Sequence, residues 1–173
     1  MTTVLVTGPI GGGKSTVCKY LLSKGYPVYD CDSRCKRLYE EVPGLKSRIE
    51  TELGIAFGDL ALIFDDEALR QKLEAMVYPL LLEDIKAWQE AARSDVAFIE
   101  SAIAMDKACF DGVYQKVLLV TAPKRLRYSR NRFARKRDSL QSFDLARVDA
   151  VIKNNASVEQ LYRQVDNFLE TKI

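Results

Sequence analysis

The stretch VTGPIGGGKSTV, Val6 to Val17, sets four glycines among the six residues Gly8–Gly13, directly after the apolar run Val4–Val6. Glycine weakens both helices and strands, so such a run marks a backbone that something must approach closely. The spacing Gly8-x-x-x-x-Gly13-Lys14-Ser15 satisfies G-x-x-x-x-G-K-S in full. Backbone N–H groups of such a loop turn inward around phosphate oxygens, and the helix that follows adds the positive end of its dipole. Lys14 can reach the β- and γ-phosphates, and the Ser15 hydroxyl can ligate Mg²⁺. The stretch therefore predicts a strand–loop–helix unit that binds a nucleoside triphosphate, rather than a glycine-rich turn without a ligand.

Working outward, Lys14 to Lys24 carries Val17, Leu21 and Leu22 at helical spacing and ends at Gly25, a natural C-terminal cap. Tyr26–Tyr29 then reads as a second strand, closing a βαβ unit. Val96–Ile99 and Val117–Val120 are apolar throughout, as strands buried on both faces should be, whereas Asp149 interrupts the fifth candidate, Val148–Ile152. Between the second and third strands, Leu45, Ile49 and Leu53 recur every fourth residue, as do Leu69, Leu73 and Val77. Pro79 suits the first turn of a further helix running through Ile85 and Trp88. Ser157-Val-Glu-Gln160 is a capping box, and Val158, Leu161, Val165 and Phe168 give the last helix its apolar face. The pattern is one α/β domain over 1–173 with a parallel sheet flanked by helices. Its core spans 1–32 and 95–173, with a helical insertion at 33–94.

The overall composition agrees: 47% hydrophobic and 29% charged residues describe a folded, water-soluble protein rather than a disordered or fibrous one. No apolar run is long enough for a membrane span, and MTTVLVTG lacks the basic start of a signal peptide. The four cysteines form no C-x-x-C pair, so buried free thiols in a reducing cytoplasm are expected rather than a zinc site. Histidine is absent, which removes Ser-His and Cys-His catalysis and leaves carboxylates, Lys, Arg and metal-bound phosphate. Net charge is only +2, yet Lys124–Arg137 holds eight basic residues and no acidic one. That points to an anionic partner touching one region, not to a nucleic-acid coat.

Asp30 and Asp32 fall at the carboxyl end of the second strand, where open parallel sheets place their ligand crevice. Either can accept a proton from an attacking hydroxyl or orient it, and either can instead cap a helix starting near Ser33. Glu100 ends the third strand on the same side and can hold Mg²⁺ through water or bind a substrate group. Arg127, Arg130 and Arg137 recur at helical intervals of three and seven, so they can share a face toward transferring phosphates. The other basic residues of the run then form a solvated face. No acidic pair closes a strand in the manner of a motor ATPase, which favours a small-molecule kinase.

With these residues in place, the chain resembles the dephospho-coenzyme A kinase family. The resemblance runs through TGPIGGGKSTV, GYPVYDCDSRCKRL, LEAMVYPLLLEDI, IESAI, VLLVTAPKRLRYSR and DAVIKNNASVEQLYRQV, which together span most of the chain. It implies a P-loop kinase core, a helical part that helps hold the coenzyme A portion, and a mobile lid, here 130–147. It also implies transfer of the ATP γ-phosphate to the ribose 3′-hydroxyl of dephospho-coenzyme A in the cytoplasm, with no membrane or nucleic-acid partner. On this resemblance Gly11, Gly12, Gly13, Lys14, Ser15 and Thr16 bind ATP and its Mg²⁺. Asp32 matches the acidic residue acting as base, with Asp30 and Glu100 on the substrate side, and Arg130 is the arginine after the fourth strand.

The chain also departs from the family pattern. Tyr78-Pro79 stands for a common His-Pro, Glu100 for a common Asp, and Ser101–Asp106 for a Pro-Leu-Leu-type segment. The insertion is shorter, and Asp138–Asn154 is too short for the full lid with its extra arginine and glutamine. Lid closure excludes water and carries arginines to the phosphates, so Arg132, Arg135 and Arg137 are candidates to compensate. Two alternatives follow: a related kinase with another nucleoside or nucleotide acceptor, and a nucleotide-binding protein that has lost transfer.

Overall fold

A computed structural model describes residues 1–138 and 141–173, with the side chain of Phe64 outside that description. Among the described residues, five strands form one sheet: β1 (Thr2–Thr7), β2 (Val28–Asp30), β3 (Val96–Glu100), β4 (Lys116–Thr121) and β5 (Ala150–Lys153). Their order is β2-β3-β1-β4-β5 and every pairing is parallel. The apolar runs that predicted strands form its middle, with Val4, Leu5, Val6, Phe98, Leu118 and Val120 fully buried. Each buried side chain of this size contributes roughly 1.5–3 kcal/mol, and parallel strands covered on both faces collect that gain along their whole length.

Two helices from opposite ends of the chain pack in the same apolar cluster. From α1 (Lys14–Ser23) come Val17, Cys18 and Leu21; from α7 (Val158–Lys172) come Leu161, Val165 and Phe168. The Ser157 hydroxyl accepts the Gln160 N–H, as the capping box requires, but Val158 is exposed and does not join the apolar face. Tyr20 stacks on Tyr162 at 3.9 Å between ring centres and donates its hydroxyl to Asp166, which also pairs with Lys24 at 2.7 Å. At the free edge of the sheet, the Gln164 amide accepts the Lys153 N–H at 2.9 Å and donates to the Lys153 carbonyl at 3.1 Å.

The chain divides into two compact units, Met1–Asp30 with Ala91–Ile173, and Cys31–Glu90. The second is helical: α2 (Cys31–Glu41), α3 (Leu45–Leu53), a 3-10 stretch Phe57–Asp65, and α4 (Glu67–Ala91). Leu45, Ile49, Leu53, Ile63 and Val77 form its core, and Arg34 forks onto Asp84 at 2.5 and 2.9 Å. Pro79 does not open a new helix; it lies inside α4. A proline there forfeits an i→i−4 bond, but Val77, Leu81 and Ile85 are buried on both sides of it, so continuous burial outweighs the local cost.

The basic run is likewise not one helix. It forms α5 (Lys124–Arg130) and the single turn α6 (Ala134–Arg137), broken at Asn131–Phe133. Arg137 therefore does not continue the face that carries Arg127 and Arg130. Of the 130–147 segment expected to form a lid, Ser139 and Leu140 lie outside the described residues.

Candidate active site

β1 delivers the chain to Gly8 at the carboxyl end of the sheet, between β3 and β4. Gly8 has φ +140°, and a Cβ there would stand 2.1 Å from the Val120 carbonyl oxygen on β4. Neither partner can move, since both are backbone beside a buried strand. Gly8→Ala is expected to destabilise the protein by about 2–4 kcal/mol, through backbone strain and overpacking, and to abolish Mg-ATP binding. Urea unfolding with a nucleotide titration checks both.

The loop feeds α1 through Gly13, where no side chain caps the helix and no acidic residue occupies the first turn. That leaves the positive end of α1 facing the loop, the arrangement that suits an anion. Lys14 Nζ lies back over the loop, donating to the Gly8 carbonyl at 2.8 Å and to Pro9 at 3.4 Å. Arg130 approaches from α5, Nη1 standing 3.4 Å from the Gly11 carbonyl. Asn154, just past β5, donates to the Gly12 carbonyl at 3.0 Å. Thr7, at the mouth of the loop, is buried with its hydroxyl lacking a hydrogen-bond partner among the described residues.

Glu100 is the acidic centre of this end of the sheet. Register sets it beside Val6 on one flank and Asp30 on the other. Its carboxylate accepts the Ser15 hydroxyl at 2.8 Å. Burial pushes the Glu100 carboxyl up from its ordinary range and the Asp30 charge adds to this, opposed by the Ser15 bond and the Lys14 charge. Burial and the Glu100 charge hold Cys18 firmly as a thiol. A hydroxyl and carboxylate oxygens at this spot are hard donors, which suit Mg²⁺ better than a soft metal.

The structure thus brings Gly11–Thr16, Glu100, Asp30 and Arg130 to one end of the sheet. α2 begins at Cys31, two residues earlier than expected, so Asp32 sits exposed in its first turn. Arg127 is not aimed at an open crevice. It is 5% exposed and forks onto Asp138, Nη1 to Oδ1 at 2.5 Å and Nη2 to Oδ2 at 2.8 Å. None of the four cysteines is in a disulfide; Cys18 and Cys31 are buried as expected, whereas Cys35 is half-buried and Cys109 exposed.

The family model for dephospho-CoA kinase matches residues 2–171. The chain belongs to the dephospho-CoA kinase family. A dephospho-CoA kinase of Porphyromonas gingivalis is 34% identical over 139 residues, covering 75% of this chain and 68% of its own. That of Fusobacterium nucleatum is 28% identical over 96% of both chains. Among solved structures, TT1252 from Thermus thermophilus superposes with a TM-score of 0.83 at 27% identity, covering 99% of this chain and 98% of that one. Dephospho-CoA kinase from Campylobacter jejuni superposes at 0.61 with 17% identity, covering 97% and 95%, which shows the shared fold. As a member of this family of ATP-dependent kinases, the chain has a P-loop kinase core. Among the described residues, no helix is long and apolar enough to cross a membrane.

Two contacts were not legible beforehand. Asn154 lies in the DAVIKNN landmark without any sign that its amide reaches Gly12. The Arg127–Asp138 pair was hidden because Asp138 is the first residue beyond the basic run.

Proposed function

We propose that this chain transfers the γ-phosphate of ATP to the ribose 3′-hydroxyl of dephospho-coenzyme A, in the cytoplasm and with Mg²⁺. The observation that carries this reading is the Ser15–Glu100 hydrogen bond at 2.8 Å. It sets a hydroxyl and a carboxylate at the foot of a full phosphate-binding loop. Gly11–Thr16 cradle the triphosphate through main-chain N–H groups. Lys14 leaves its carbonyl partners for the β- and γ-phosphate oxygens and carries part of the charge in transfer. Ser15 would hold Mg²⁺ directly, with Glu100 orienting the Ser15 hydroxyl and the metal's waters. The ion, when bound, neutralises charge on the phosphate oxygens.

Asp32 accepts the proton of the 3′-hydroxyl as the new oxygen–phosphorus bond forms and the bond between γ-phosphorus and the bridging oxygen breaks, releasing ADP. Asp30 orients the acceptor beside Glu100. Arg130, already over the Gly11 carbonyl, balances charge on the phosphates.

The test is a 3′-phosphorylation assay with Mg-ATP and dephospho-coenzyme A, the product identified by mass. Formation of coenzyme A is expected. Product with other nucleosides or nucleotides and none with dephospho-coenzyme A would instead assign a related kinase. Tight Mg-ATP binding with no acceptor turned over would assign a binding protein.

A further inference from the structure

Arg127 sits in a run of cations, yet its surroundings are those of a structural joint. Its guanidinium is consumed by protein oxygens: the Asp138 fork, Nε on the Ala122 carbonyl at 3.1 Å, and Nη1 on the Ile10 carbonyl at 3.4 Å. The Tyr128 hydroxyl donates to Asp138 Oδ2 at 2.8 Å, so the carboxylate is held from two directions. These bonds keep the Asp138 carboxyl below the usual carboxylate range. Four of its five N–H donors are thus spent on protein oxygens, and a cation neutralised by a forked carboxylate in a buried setting has little left to offer a phosphate.

The contacts instead converge on the phosphate loop. Ile10 offers its carbonyl to Arg127, and its N–H donates to the Gln141 side chain at 3.3 Å. Gly11 lies against the Arg127 main chain: a Cβ there would be 2.8 Å from the Arg127 carbonyl oxygen and 3.0 Å from its Cα. The left-handed turn at Gly11, φ +77°, is therefore seated directly on α5. Arg130, one turn further along α5, reaches the Gly11 carbonyl from the same support.

We propose that the Arg127–Asp138 pair is a positioning clamp that ties the arginine-rich segment to the phosphate loop and presets the Ile10–Gly11 backbone for the triphosphate. Asp138 acts through Arg127, and neither touches the reacting atoms. The clamp also fixes the helix that carries Arg130, so one joint sets both the loop and a phosphate-facing cation. It rests on the reading that the loop binds Mg-ATP, but not on the identity of the acceptor.

The test uses the full chain and measures the Mg-ATP dissociation constant by titration without acceptor, then kcat and both KM values. Asp138→Asn keeps the size and removes the charge. It is expected to weaken Mg-ATP binding by about 10- to 100-fold and to raise the KM for ATP in step, with the acceptor KM unchanged. Arg127→Gln should do the same, and the double variant should be no worse than either single one, since the pair acts as a unit. Asp166→Asn breaks a surface pair away from the loop and should leave the constant unchanged. If Asp138→Asn lowers only thermal stability and binds Mg-ATP like the wild type, the clamp is wrong. Should that variant fail to fold, Arg127→Lys decides, because it keeps the buried charge and loses the fork; unaltered affinity there overturns the proposal. A wild type that binds Mg-ATP but ignores dephospho-coenzyme A overturns the acceptor assignment alone, and the affinity comparison still judges the clamp.

Discussion

Lys14→Ala is expected to lower the phosphoryl-transfer rate by about 100- to 1000-fold or more, with little loss of stability. The rate effect follows from where the ammonium can go. It rests on the carbonyls of Gly8 and Pro9 at 2.8 and 3.4 Å, contacts it can exchange for phosphate oxygens by rotating its flexible stem. Charge building on the transferring phosphate then loses a preorganised cation, and deleting one such group typically costs that much in rate. Stability should change little, because Lys14 contributes nothing to the apolar cluster of Val17, Cys18 and Leu21 beside it. Steady-state turnover beside a thermal melt checks both halves. Near-normal turnover in a well-folded variant would remove Lys14 from the mechanism and leave the loop as a binding cradle.

Asp32→Asn should keep Mg-ATP affinity and lose about 100- to 10 000-fold in rate, the range a general base contributes. Asparagine retains the shape and can still accept a hydrogen bond, but it cannot take the proton from the acceptor. Asp32 is exposed in the first turn of α2, so its removal withdraws only a helix-terminus charge of about 0.3–1 kcal/mol. The companion variant Asp30→Asn makes the experiment decisive. Asp30 stands in register with Glu100 at the sheet end, and its charge presses on that carboxylate. A rate collapse in Asp30→Asn with near-normal Asp32→Asn would exchange the two roles. Loss of Mg-ATP binding in Asp32→Asn would move that residue to the metal.

The glycine loop was legible because its chemistry is local: the motif, a preceding apolar strand and a following helix lie within twenty-odd residues. β5 is less legible, since Asp149 breaks the apolar candidate Val148–Ile152 and the strand itself runs Ala150–Lys153. Asp149 stands just before β5 and ties its start to β4: its side chain accepts the Val117 N–H at 2.8 Å and its N–H donates to the Val117 carbonyl at 3.0 Å. Pro79 by its local chemistry suits the first turn of a new helix, whereas the burial of Val77, Leu81 and Ile85 carries α4 straight through it. The arginines were the hardest case. Spacing alone treats Arg127 and Arg130 alike, but one is buried against Asp138 and the other is exposed over Gly11. Only long-range packing separates them, and no periodicity in the run encodes it.

The amide of Gln164 has a consequence for how this molecule keeps apart from its neighbours. A terminal strand of a sheet is a template on which another chain can lay down a strand. β5 is such a strand, and it exposes Val151. By occupying both main-chain groups of Lys153, Gln164 imitates one rung of an incoming strand and leaves nothing there for a real one to grasp. The opposite border is β2, only three residues long, which gives an intruder little to align with. A short border on one side and a side-chain plug on the other leave an incoming strand few free rungs on which to extend this sheet.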